Sequence, residues 1–481
     1  MNIYHNKLRK YLSNKNMYLC LIKIWHATSK IGDEKPINTG NKIASQAFPW
    51  EIDILAREII LNCVGTIQLP EKRHSKQKFD LELCIKYIRK ASALTSEKTV
   101  KSTGDAFKKL HAISHQQIPW QDDNFILRFV RYAKIMEHGP LKEIVENRLK
   151  ISIQDLYKIG LAVAGSIRGS AHILSSNYSQ TPGIKPGADI SFFKITADSI
   201  EDIKERAAAN QINEEEWQFA FNPLREKPLI FDKGYPEKIL GISQQFLIWR
   251  ITSGIYYDIR QEKKFSEAWG DAFENYIGDV LKETLPHESF KIIHEAQYKI
   301  SKGKEHLGVD WKLIDATGLA FIECKTKRLT IKSQINFDGE TLSFDINKLA
   351  DAVIQNYKNI NDAKEGKIPD FEVGELPICN VVVTLENWRI ENPAFKKMLN
   401  DMVVERLTKE RLDKSLLETC PYRIYGSQQF EMIMQDVSRN GVFKTLIQNE
   451  GFNKGPYRPL FKGTLTRLIP ELDPMPDGTL L

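Results

Sequence analysis

Along the first 170 or so residues, apolar positions recur every three or four residues, the period of a helix with one buried face. In PWEIDILAREIILNCVG, the residues Ile52, Ile54, Leu55, Ile59 and Ile60 make such a face. FILRFVRYAKIME and DLYKIGLAVAGSIRGSAHIL repeat it, and Gly165 and Gly169 in the latter suggest close helix contact. The Ser-, Pro- and Gly-rich stretch SSNYSQTPGIKPGADIS breaks the pattern and reads as a boundary. Beyond it, SIEDIKERAAANQINEEEWQFAF reads as an acidic helix. KPLIFDKGYPEKILGISQQFLIWRITSGIYYDI reads as a short strand, a turn and a helix.

From about residue 265 the period changes. KFSEAWGDAFENYIGDVLKETL is an amphipathic helix with Trp269, Phe273, Ile277, Val280 and Leu281 on one side. HESFKIIHEAQY leads to a strand, and LGVDWKLIDATGLAFIECK reads as two strands around the turn Asp315–Gly318. A helix (KLADAVIQNYKNINDAK), the apolar strand LPICNVVVTL, the helix NPAFKKMLNDMVVERLTKERL and the strand-like PYRIYG follow. This order predicts an α/β sandwich around a mixed sheet, preceded by a mainly α-helical N-terminal domain. The expected divisions are a helical, basic domain over 1–175, a connector with a short strand and helices over 176–260, the α/β domain over 261–430, and an extension over 431–481.

Composition narrows the setting. No run approaches the roughly 20 apolar residues needed to span a bilayer, and the N-terminus has no continuous apolar centre of a secretory signal. Six cysteines without paired spacing suit a reducing cytosol, so a cytoplasmic protein with no membrane partner is expected. Net charge is +6, yet residues 1–150 hold 26 Lys and Arg against 15 Asp and Glu, an excess of eleven, which leaves the remainder at −5. A basic portion beside an acidic one suits a polyanion-binding arm joined to a carboxylate-rich unit; solvation of helix surfaces is the plainer account.

The chemistry gathers in the predicted hairpin. Alternation places Leu319, Phe321, Glu323 and Lys325 on one face of LAFIECK, and Asp310 with Lys312 on one face of the strand before it. Charges thus fall where the strands otherwise read as interior, at a cost of several kcal/mol unless a counter-charge compensates. A divalent cation does so, since Mg²⁺ commonly takes one or two carboxylates plus water and substrate phosphate. The plainer account is an exposed Glu323–Lys325 ion pair on an edge strand, which Phe321–Ile322 argues against.

Gly308-Val309-Asp310, a short hairpin, then Phe321-Ile322-Glu323-Cys324-Lys325 resembles the signature of the PD-(D/E)xK, or restriction-endonuclease-like, nucleases. The resemblance covers about residues 265–430, with Val309 where the family usually has Pro. It implies a restriction-endonuclease-like sandwich in which Asp310 and Glu323 bind catalytic Mg²⁺, with Mn²⁺ as a substitute, and Lys325 assists the nucleophilic water. It further implies that Glu274, on the preceding helix, completes the metal shell. Gln355 and Tyr357 on the following helix resemble accessory residues of some members, although their Gln-x-Tyr spacing is shorter than usual. The expected activity is hydrolysis of DNA phosphodiester bonds leaving 5′-phosphates, in prokaryotic restriction or anti-phage defence. Expected protein partners are a second copy of the chain or another component of such a system. The alternatives are an RNA-cleaving enzyme of the same fold, and a non-catalytic nucleic-acid-binding or assembly protein.

Other candidates carry less. His111 and His115 have the i, i+4 spacing of helical metal ligands, but Ala112 stands where a Glu would follow; satisfied helix-surface histidines are the favoured account. Asp122–Asp123 reads as the start of a helix. In the tail, Tyr457, Arg458, Phe461, Lys462 and Arg467 interleave aromatics and cations; a segment closing the domain is favoured over a grip on single strands. No G-x-x-x-x-G-K-[ST] sequence is present.

Overall fold

The computed structural model describes residues 2–29, 37–38, 46–68, 78–121, 125–179, 182–294, 298–301, 304–306, 308–337, 339–369, 371–450, 457–461, 463–464 and 467. Asp122, Asp123 and Lys462 lie outside them. The chain is of the α/β class and divides into two compact units. Residues 1–109, 113–265 and 464–481 form the first; 110–112 and 266–463 form the second. No helix among the described residues is long and apolar enough to cross a membrane.

The first unit surrounds the helix Pro49–Asn62, which is buried on nearly every side and not on one face alone. Pro fits its first turn, where no backbone donor is needed, and Glu51 accepts the Phe48 N–H at 2.9 Å. Its charges are therefore internal and paired. Glu51 meets Arg89 (2.6 Å), Asp53 meets Arg225 and the Asn222 amide, and Glu58 meets His5 (3.2 Å). A four-stranded sheet brings together, in spatial order, His172–Leu174, Tyr235–Gly241, Leu229–Asp232 and Ala197–Ser199. The segment after Leu229 is thus a hairpin followed by the helix Gln244–Ile251, where the sequence suggests one strand and a helix. The acidic helix is shorter than its pattern suggests, ending at Ala209.

Close helix contact in the helix Ile153–Gly169 occurs at Gly160. A Cβ there would lie 2.5 Å from Ile251 Cδ1, whereas at Gly165 and Gly169 it would meet nothing within 4 Å.

The main run of the second unit, from residue 266, holds nearly all of α1 (Phe265–Thr284), followed by β1 (Lys291–His294), β2 (Trp311–Ile314) and β3 (Leu319–Lys325). Then come α2 (Glu340–Lys364), β4 (Ile378–Thr384), α3 (Pro393–Lys409), β5 (Tyr422–Gly426) and α4 (Ser427–Val442). A separate small hairpin, Tyr298–Ser301 with Lys304–His306, precedes β2. The sheet runs β5-β4-β3-β2-β1, with β2 antiparallel to both β1 and β3, and β3, β4 and β5 parallel. The two parallel steps need crossovers, which α2 and α3 supply.

Phe321 and Val382 pack with Leu349, Val353 and Phe395, placing α2 and α3 on one face. Trp311 lies against Gly278 of α1, and Tyr276 of α1 donates to Glu431 of α4 (2.8 Å), placing those helices on the other. The β2–β3 turn is held by Asp315, whose Oδ1 accepts from Thr317 N and Gly318 N, while Oδ2 accepts from Val442 N (2.9 Å). Neighbouring Gly441, at φ +82°, leaves no room for a side chain: a Cβ would lie 2.8 Å from Thr317 Oγ1.

Candidate functional site

β3 is the middle strand of five, so its run LAFIECK is covered on both faces and its first five residues are buried. Glu323 is only 1% exposed. The antiparallel register pairs Trp311 with Ile322, and one step further sets Asp310, just ahead of β2, opposite Glu323. Directly opposed residues project to the same side, so Asp310, Glu323 and Lys325 share the face covered by α2. The Cys324 N–H donates to Asp310 Oδ2 at 2.6 Å, fastening that carboxylate between Glu323 and Lys325. Lys325 Nζ donates to Glu323 Oε1 and lies 3.4 Å from Gln355 Oε1 on α2. Lys312, on the same face, is buried with its ammonium 5.2 Å from the centre of the Phe371 ring.

Electrostatics follow from this crowding. Burial pushes the Asp310 carboxyl up to about 8, and Glu323 and Glu274 push the same way against the Cys324 N–H and Lys325. Burial alone would lower the Lys325 ammonium, but Glu323 and Asp310 outweigh it and hold it charged.

Glu274 comes to the opposite face. Trp311 Nε1 donates to the Glu274 carbonyl (3.0 Å), and the Glu274 carboxylate shares a 2.6 Å hydrogen bond with His294, which pairs with Trp311 across β1 and β2. Its charge helps to raise the Asp310 carboxyl.

Among the described residues no three His, Cys, Asp or Glu side chains are gathered as a metal-holding group. Asp310 and Glu323 nonetheless fit a Mg²⁺ ion as its two protein donors. They are hard oxygens facing each other with too little positive charge between them, and Mg²⁺ completes its shell with water and phosphate.

Two residues of this neighbourhood carry no motif. His294 is set by register alone. Asn356, beside Gln355, sits within the apolar stripe of α2 and donates to the Phe321 and Val381 carbonyls (3.2 and 2.9 Å). That locks α2 to β3 and β4 and so positions Gln355; a polar residue in an apolar stripe was its available signal.

The remaining candidates settle elsewhere. The Tyr357 hydroxyl donates to the Cys420 carbonyl (3.0 Å), away from Lys325. His111 is buried, not a surface residue, with Nε2 2.9 Å from the Ser333 carbonyl. Tyr457 donates to Asp436 (2.8 Å), Arg458 to the Glu283 carbonyl (2.6 Å), and Phe461 lies against Tyr276, so this part of the tail packs on α1 and α4. Arg467 pairs with Glu137 in the first unit. All six cysteines are free thiols. No family model, no curated protein and no solved structure matches the chain.

Proposed function

We propose that the second unit is a metal-dependent nuclease of the restriction-endonuclease-like kind, hydrolysing phosphodiester bonds of DNA. The observation that carries this reading is Asp310 fastened opposite Glu323, with Lys325 next along the same buried face. The order of one helix, three antiparallel strands and two parallel crossovers around that face supports it. A bound Mg²⁺, or Mn²⁺ in its place, would polarise the phosphodiester and acidify a water. Asp310 and Glu323 would supply its oxygen donors. Lys325, kept charged and steadied by Gln355, orients the attacking water and offsets negative charge growing on the phosphorus oxygens. Glu274 acts through its charge, which helps to raise the Asp310 carboxyl. The basic balance of residues 1–150 supports a nucleic-acid-recruiting role for the first unit, and restriction or anti-phage defence in a prokaryote is the setting this activity fits.

One observation favours the rival reading, a non-catalytic nucleic-acid-binding scaffold: no third ligand joins Asp310 and Glu323 among the described residues. The same experiment decides between them. Purified protein is incubated with plasmid, linear and single-stranded DNA and with RNA, in Mg²⁺ or Mn²⁺, beside Lys325→Ala. Metal-dependent cleavage lost in the variant supports the nuclease. Equal degradation by both proteins, or none on any substrate, overturns it.

A further inference from the structure

Beyond Lys325 the chain leaves the sheet and runs along the start of α2, where Asp345 braces it. This carboxylate, 1% exposed, accepts from Thr330 N (3.2 Å) and Ser333 Oγ (2.8 Å) and pairs with Lys327 (3.0 Å). The brace fixes the Lys327 ammonium 5.5 Å from the centre of the Phe344 ring. Lys348, one turn along α2, brings a second ammonium to 5.7 Å from the same ring. Phe344 is 58% exposed, although α2 buries apolar residues along most of its length. Phe344, Lys348 and Gln355 fall at i, i+4 and i+11, one stripe of the helix about 16 Å long. Gln355, at the far end, is the residue that meets Lys325.

A ring more than half exposed, with two lysine ammoniums over it, matches the two things an unpaired strand presents, a base to stack and phosphates to neutralise. A duplex hides its base faces, so a stacking ring has nothing to gain from it. We propose that Phe344, Lys327 and Lys348 form a single-strand track that delivers unpaired nucleic acid to the Asp310–Glu323–Lys325 face. The charge available is modest, since Lys327 is paired with Asp345, and Lys348 lies 3.8 Å from Asp351, which also meets Arg406 (3.0 Å). Stacking on Phe344, more than charge, therefore sets the preference.

The assignment of a substrate rests on the nuclease reading; the track itself does not. Full-length protein is titrated, with EDTA present to stop cleavage, against fluorescein-labelled 20-mers: single-stranded DNA of mixed sequence, its duplex, and the matching RNA. Fluorescence anisotropy is the readout. The wild type is expected to bind a single strand at least tenfold tighter than the duplex. Phe344→Ala should lose about tenfold on single strands and little on the duplex, Phe344→Trp should restore the loss, and Lys348→Glu should weaken single-strand binding on its own. Phe344 and Lys348 are exposed, so matching melting curves establish that the variants fold. Duplex binding as tight as single-strand binding, or wild-type affinity in Phe344→Ala, overturns the track. The DNA and RNA arms identify which strand it takes. Cleavage of the same oligonucleotides in Mg²⁺ separates the two readings. Binding that depends on Phe344 without cleavage keeps the track and counts against the nuclease; cleavage indifferent to Phe344 does the reverse.

Discussion

Asp310 Oδ2 accepts the backbone N–H of Cys324 at 2.6 Å, so a carboxylate carried ahead of one strand is held near the C-terminal end of its neighbour. This single bond sets where the Asp310 charge sits relative to Glu323 and Lys325. It also separates two contributions of Asp310, a hydrogen-bond acceptor that fixes the hairpin and an anion that Glu323 opposes.

Substitutions divide those contributions. Asp310→Asn keeps an acceptor for the Cys324 N–H and removes the charge; Asp310→Ala removes both. Each is expected to reduce metal-dependent DNA cleavage by about a hundredfold or more. Their stabilities should differ: in metal-free buffer the Asn variant melts at or above the wild type, and the Ala variant below it. Plasmid nicking and thermal melts check both halves, and an active Asn variant would remove Asp310 from the site.

Proton uptake gives a second test. Burial raises the Asp310 carboxyl to about 8, from roughly 3.9 in an unfolded chain. The folded state therefore holds a proton that the unfolded state releases between about pH 4 and 8. Asp310's contribution is complete below that window and is lost as pH rises through it. Metal-free protein should show a falling contribution to melting temperature from pH 5 to 8, absent in Asp310→Asn. Mg²⁺ competes with that proton, so it should raise the melting temperature more at pH 8 than at pH 5. A Mg²⁺ effect equal at both, or one that persists in Asp310→Asn, would contradict the assignment.

The legible part of this site was the part written along one strand. Phe321, Glu323 and Lys325 alternate within an apolar run, which implied both their shared face and a strand covered on each side. Asp315–Gly318 named its own turn, and the turn then set Asp310 opposite Glu323. Partnerships made across elements were not legible. His294 reaches Glu274 through β1 register, Asp345 reaches Lys327 through the path of a loop, and Gly160 rather than Gly165 meets a neighbouring helix. The paired charges on the helix Pro49–Asn62 follow the same rule, since its partners arrive from distant segments.

Glu58 shows what those partners do. Burial alone would raise its carboxyl, but His5, Arg57 and Arg9 outweigh it and bring it down to about 2. Its contribution is therefore present above the ordinary carboxylate range near 4.3 and is lost as pH falls from there through about 2. Glu58→Gln should destabilise the protein by roughly 3 kcal/mol at neutral pH, because it leaves Arg57 with less counter-charge in the interior. The deficit should shrink on acidification toward pH 3. Denaturant melts at pH 7 and pH 3 read it directly, and a constant deficit would show that packing, not charge, is responsible.

The last prediction concerns what holds the hairpin against α1. Trp311 lies against Gly278, and a Cβ added there would be 2.1 Å from Trp311 Cζ2. The ring cannot yield freely, because its Nε1 donates to the Glu274 carbonyl and its backbone pairs with both β1 and β3. Gly278→Ala must therefore push α1 away from β2, an overpacking that costs about 1–3 kcal/mol. Helix propensity, worth up to about 1 kcal/mol in favour of Ala, offsets only part of that. Asp310 immediately precedes Trp311, so the displacement should also lower cleavage beyond what stability alone explains. A Trp311→Phe change in the Gly278→Ala background shrinks the ring and should recover part of both losses. Thermal melts together with cleavage measured well below the melting temperature distinguish this from simple unfolding. A stable, fully active Gly278→Ala protein would mean that the Trp311 seat does not position the carboxylate.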